Sequence, residues 1–203
     1  AGVQQKLVEL EEFHTIILNE LFSTDNAKIK ADIHAVFAGL KEKCAEPTSD
    51  NYHFEYDQIV SLGEIISTKI VDAYLNQSGL PSGWLDARKL IRTNDTWREA
   101  KVDWETTTEL VTSAVKAGNA RINVIQGFLG HTTEGLTTTL GREGSDFTAA
   151  IMAYALDATS VTIWKDVPGM LNADPKWFDN TVLLEKISFR EAIELAYYGA
   201  SVI

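Results

Sequence analysis

The 203 residues are 45% hydrophobic and 23% charged, enough for one domain with a sizeable core. A formal net charge of −11 argues against a nucleic-acid surface, which needs clustered Lys and Arg. The single cysteine, Cys44, excludes an internal disulfide and any cysteine-rich metal site, and it suits an inert thiol in a reducing cytoplasm.

No apolar run reaches the about 20 residues of a membrane span, and the opening segment is amphipathic without a signal-peptide core. Residues 3–22 carry Val3, Leu7, Leu10, Phe13, Ile17 and Leu21 at helical spacing. A second helix is expected over 27–44, with Ile29, Ile33, Val36, Phe37 and Leu40 on one face and Asp25 or Asn26 as cap. A third spans about 53–76 through Ile59, Ile65, Ile66, Ile70 and Tyr74, and Gly79 and Pro81 end it. Gly83–Ala87 reads as a buried strand, and 88–104 is polar without a clear period. Residues 106–116 read as a weak helix and 121–126 as a strand.

The stretch 126–146, QGFLGHTTEGLTTTLGREGSD, holds five of the thirteen glycines and lies between that strand and a helix marked by Phe147, Ala150, Ile151 and Tyr154. Glycines let backbone approach a ligand, and a helix N-terminus adds unpaired amides and a dipole, so the stretch suits a phosphate or carboxylate. Ser160–Trp164 has the alternation of a strand, and 165–175 reads as a long loop. Ser188 and Glu191 form a capping box for a last helix ending at Gly199. Strands alternating with helices imply an α/β fold with a mainly parallel sheet covered on both faces.

Ligands of open α/β sheets bind beyond the carboxyl ends of strands. Two such ends carry chemistry: Arg142, Ser145 and Asp146 after the first, Lys165 and Asp166 after the second. Arg142 suits a bidentate grip on a carboxylate. Asp146 is open between a helix-cap charge and an active-site acid. The Walker, dinucleotide and nucleophile-elbow patterns are absent. His14, His34, His53 and His131 lack ligand spacing and suit ordinary helix or surface roles, and no metal site is expected from side chains.

The run GFLGHTTEGLTTTLGREGSDFTAA strongly resembles the aspartate kinase signature of the amino-acid kinase family. Three blocks in the family's order accompany it: Ser61-Leu-Gly-Glu-Ile-Ile-Ser-Thr-Lys69, Ile163-Trp-Lys-Asp-Val-Pro-Gly169 with Ala173-Asp-Pro-Lys176, and Ile187-Ser-Phe-Arg-Glu-Ala192 with Glu194–Ala200. The resemblance implies a three-layer α/β/α sandwich and transfer of the ATP γ-phosphoryl group to the side-chain carboxylate of L-aspartate. It assigns Glu64 to the substrate's α-ammonium and Arg142 to its α-carboxylate, with Gly144 and Ser145 lining the pocket. Asp146 would organise the phosphates, and Lys165, Asp166, Leu171 and Lys176 would contact the nucleotide, with Mg2+ held through the phosphates. Lys165, Leu171 and Lys176 stand where many relatives have Thr, Tyr and Arg.

The resemblance also sets the extent. The family's opening Lys-Phe-Gly-Gly strand and its regulatory ACT domains have no match here, so 1–203 reads as part of a kinase domain, 1–80 mostly helical and 81–203 α/β. Such a stretch is expected to be inactive alone, and the parent to be a cytoplasmic homo-oligomer assembled through the regulatory domains. A glutamate-type acceptor, or a non-catalytic ligand-binding or oligomerisation module, are the alternatives.

Overall fold

In the computed structural model, residues 2–22 and 27–200 are described, so the expected cap at Asp25 or Asn26 lies outside the described residues. The chain divides into two units, 1–159 and 160–203.

Helices α1 (Gly2–Leu21), α2 (Ala27–Ala45) and α3 (Tyr52–Gln77) open the first unit. The expected stripe of α2 is buried at Ile29, Ile33, Phe37 and Leu40, where it meets Ile66 and Ile70 of α3. In α1 the buried pair is Leu7 and Leu18, whereas Val3, Leu10 and Phe13 stay exposed. Leu7 and Leu18 stand three helical turns apart and lie one above the other, which selects them over the longer stripe. Asn51 caps α3 by accepting the Phe54 N–H, and Gly79 (φ 81°) follows its end.

A second core forms from Ile65, Ala87, Ile91, Leu129, Leu140 and Ile151. Ile65 and Ile66 are adjacent but point about 100° apart around the helix, so α3 is the wall shared by both cores.

Strand β1 (Ser82–Leu85) pairs parallel with β2 (Ile122–Ile125), from Ser82 opposite Ile122 to Leu85 opposite Ile125. Helix α4 (Trp104–Ala117), capped by Asp103, lies in the crossover between them. The expected strand over 83–87 is therefore shorter, because Ala87 belongs to a 3-10 turn, Ala87–Lys89, capped by Asp86. The aperiodic 88–104 segment buries Leu90, Ile91, Thr93 and Ala100 and runs beside the next hairpin through bridges Arg92–His131 and Thr93–Val102.

That hairpin was not visible as strands in the sequence. Within the glycine-rich stretch, β3 (Leu129–His131) pairs antiparallel with β4 (Thr137–Thr139), and all six residues are buried. Helix α5 (Gly144–Ala155) follows.

In the second unit, the expected strand at Ser160–Trp164 does not form. Alternation makes a strand only where a neighbour supplies the hydrogen-bond ladder, and none of the described residues pairs with this segment. Val161, Ile163 and Trp164 are exposed. The loop beyond it closes on itself: Leu184 N–H donates to Met170 O at 2.8 Å and Asn172 N–H to Val182 O at 3.0 Å. Helix α6 (Phe189–Tyr197) carries the expected capping box, with Ser188 and Glu191 bonding reciprocally.

Candidate substrate-binding site

Helix α3 is apolar toward both cores, yet Asp57, Ser61, Glu64 and Thr68 recur along it at steps of four, three and four, one polar face. Asp57 is fully buried. Its carboxylate accepts the Arg98 N–H at 3.0 Å, the Thr139 N–H at 3.0 Å and the Thr139 hydroxyl at 2.8 Å. One side chain thus ties α3 to the 94–103 segment and to β4.

At the far end of the same face, the Thr68 hydroxyl accepts from Trp84 Nε1 at 3.0 Å and from Gln126 Nε2 at 2.8 Å. Gln126 is fully buried; its Oε1 accepts the Ala87 N–H at 2.8 Å and its Nε2 also donates to Leu85 O at 3.1 Å. These bonds fix the carboxyl ends of β1 and β2, where an α/β sheet presents its ligand.

Glu64 lies between these two anchors, half-buried. Burial pushes its carboxyl above the ordinary glutamate value. Among the described residues no cation pairs with it. A desolvated carboxylate without a partner suits an incoming ammonium group.

The glycines of 126–146 permit one close approach. A Cβ on Gly127 would stand 2.7 Å from Ser145 Cβ, and one on Gly144 would stand 2.8 Å from Phe128 Cβ. Real Cβ contacts do not come that close, so the start of α5 can rest on the 127–128 turn only because both positions are glycine. Thr148 secures the contact by accepting the Phe128 N–H at 2.8 Å.

The result is a cavity of about 520 Å³ whose wall includes Tyr56, Arg98, Phe128, Thr139, Gly141 and Arg142. Arg142 is mostly exposed and meets Glu143 only loosely, 4.0 Å away. Three of the four positive-φ non-glycine residues among those described border this place: Arg98 (70°), Phe128 (60°) and Glu143 (55°). Each costs about 1–2 kcal/mol, and such strain concentrates at ligand sites.

Of the sequence-assigned residues, Arg142, Gly144, Ser145 and Asp146 share one turn, with Arg142 on the cavity and Asp146 in the first turn of α5. Glu64 shares the α3 face with Asp57 but is not part of the cavity lining. Lys165, Asp166, Leu171 and Lys176 belong to the second unit. There, Leu171 bridges Leu183, and the Lys176 N–H donates to Asp174 Oδ1 at 2.8 Å. No group of three or more His, Cys, Asp or Glu side chains that could hold a metal ion occurs among the described residues.

Sequence reasoning missed Asp57, Arg98 and Phe128. An acidic residue four before Ser61 and seven before Glu64 was the available signal for Asp57. His131 differs from its expected surface or helix role: it is buried, and its Nε2 accepts from Arg92 Nε at 3.0 Å. Burial first, then the Arg92 charge, hold His131 below the ordinary histidine value, so it is a neutral structural acceptor.

The sequence pattern described as the Amino acid kinase family matches residues 10–203. Lysine-sensitive aspartokinase 3 of Escherichia coli K12 is 40% identical over 148 residues, 72% of this chain and 33% of that protein. The chloroplastic bifunctional aspartokinase/homoserine dehydrogenase 1 of Zea mays is 30% identical over 97% of this chain and 22% of its own length. Among solved structures, E. coli aspartokinase III in complex with aspartate and ADP superposes with a TM-score of 0.84 at 34% identity, covering 98% of this chain and 44% of that one. Clostridium acetobutylicum aspartate kinase gives 0.70 at 26% identity over 98% of this chain and 41% of its own. The chain spans about a third of the E. coli relative's length. The α/β fold expected from the sequence is the one these structures share, and the chain belongs to the amino acid kinase family.

Proposed function

We propose that this chain is the acceptor-binding part of an aspartate kinase, which transfers the γ-phosphoryl group of ATP to the side-chain carboxylate of L-aspartate to give 4-phospho-L-aspartate. The observation that carries this reading is the strained cavity bearing Arg142 beside the start of α5. Its support from relatives is the superposition on a protein solved with aspartate and ADP.

Phosphoryl transfer asks mainly for positioning and neutralisation of charge. In this reading Arg142 grips the α-carboxylate with its guanidinium fork. Glu64 takes the α-ammonium, and its raised carboxyl gains a partner on binding. The Gly144 and Ser145 amides at the start of α5 add donors, and the helix dipole favours the anion. Asp146 organises the phosphate end. Lys165, Asp166, Leu171 and Lys176 serve the nucleotide, and Mg2+ bound together with it would supply charge neutralisation. No helix of the described residues is long and apolar enough to cross a membrane. The reaction is assigned to the cytoplasm, and the whole protein to a homo-oligomer assembled through further domains.

The test is ATP-dependent formation of aspartyl hydroxamate by the full-length protein carrying this chain, with L-aspartate, L-glutamate and N-acetylglutamate as acceptors. Aspartate is expected to be turned over at least tenfold more efficiently than either alternative. A preference for a glutamate-type acceptor refutes the reading.

A further inference from the structure

Arg98 stands on the cavity wall, and the family resemblance gives it no role. Its backbone is left-handed, with φ 70°. A carboxylate holds it there: the fully buried Asp57 accepts the Arg98 N–H at 3.0 Å. The Arg98 carbonyl oxygen lies 3.0 Å from where a Cβ on Gly141 would stand, so this turn is wedged against the residue preceding Arg142. The guanidinium lies over the Tyr56 ring, 4.7 Å from its centroid. Among the described residues no carboxylate pairs with it, although Glu99 shares the wall.

This is a strained, stacked and pre-oriented arginine whose donors are not spent on the protein. Strain of this kind persists where the surroundings enforce it for a ligand. Stacking on an aromatic face leaves the edge of the guanidinium fork available for a planar anion. Two guanidinium groups, Arg98 and Arg142, therefore serve one cavity in a chain of net charge −11. A ligand with one carboxylate needs only one of them.

We propose that Arg98 is a binding residue for the second carboxylate of the acceptor, with Arg142 on the first, so that the cavity selects a dicarboxylic amino acid. The inference rests on the aspartate kinase reading and names the specificity determinant within it. Asp57 is then a positioning residue, acting through the Arg98 backbone.

The test uses the full-length protein and the substitution Arg98→Gly. Glycine removes the guanidinium and relieves the left-handed backbone, so the variant is expected to melt no lower than wild type. The KM for L-aspartate is expected to rise about 10–100-fold, the scale of one lost charge-assisted hydrogen bond, with the KM for ATP within about twofold. Calorimetry adds a second readout: the wild-type preference for L-aspartate over L-asparagine collapses in Arg98→Gly, and Arg98→Lys restores part of it. An aspartate KM within about twofold of wild type, or a loss falling on ATP, overturns the assignment of Arg98 alone. A wild-type protein that does not phosphorylate aspartate overturns the parent reading and this one with it.

Discussion

Asp57 holds Thr139 at two points, accepting its main-chain N–H at 3.0 Å and its hydroxyl at 2.8 Å, across 82 residues of sequence. The same carboxylate accepts the Arg98 N–H. Asp57→Ala leaves three donors without an acceptor, the two of Thr139 buried and that of Arg98 partly so. At about 1–3 kcal/mol per unsatisfied group, and with partial relaxation, a loss of about 3–5 kcal/mol is expected. Denaturant unfolding measures it. Faster amide exchange at Arg98 and Thr139 accompanies the loss, and a change below about 1 kcal/mol rejects the anchoring role.

Gly127 and Gly39 make opposite predictions for the same chemical change. At Gly127 the added methyl would stand 2.7 Å from Ser145 Cβ and 3.0 Å from Ser145 Cα. Gly127→Ala is expected to destabilise by about 1–3 kcal/mol and to displace the start of α5. At Gly39, inside α2, nothing lies within 4 Å of the added methyl. Gly39→Ala is expected to stabilise by about 0.5–1 kcal/mol through helix propensity. Thermal melts of the two variants side by side check the pair.

Glu64 sets a pH dependence. Its carboxyl is raised by burial, so the folded chain keeps that proton to a higher pH than the unfolded chain does. In that interval the native state binds more protons, and stability falls as pH rises through it. Glu64→Gln removes this contribution. Without aspartate, the variant is expected to match wild type near pH 4 and to melt higher near pH 7. With aspartate at pH 7 the order reverses, because only wild type pairs with the ammonium group. Melting curves at both pH values, with and without ligand, decide it; a wild-type advantage at pH 7 without ligand contradicts the sign.

Gln126 directly follows β2 and bonds to three groups while fully buried. Gln126→Leu keeps most of the volume but strands the Ala87 N–H and the Leu85 carbonyl. At roughly 1–3 kcal/mol for each unsatisfied group, a loss of about 2–4 kcal/mol is expected in chemical denaturation. Thr68→Val removes the shared acceptor of Gln126 and Trp84 and is expected to be non-additive with Gln126→Leu, which a double-mutant cycle measures.

What the sequence determined by itself was local in its physics. The face of α2, the capping box of Ser188 and Glu191, the glycine after α3 and the glycine-rich run before α5 all depend on residues a few positions apart. The family pattern is likewise written in contiguous blocks, so 10–203 matched. The structure decided everything that needs a distant partner. Alternation at Ser160–Trp164 yields no strand, because no described residue supplies a ladder. Threonines and a histidine that looked like loop form a buried hairpin, because Asp57 and Thr93 bond the hydroxyls of Thr139 and Thr138 and Arg92 donates to the His131 ring. Arg98 read as one charge in an aperiodic segment, and it reaches the cavity because a carboxylate 41 residues away holds its backbone in a conformation the local sequence disfavours. Helical period and caps are short-range and can be read along the chain. Buried polar bonds between remote segments are not encoded in any window, so only the folded chain reveals them.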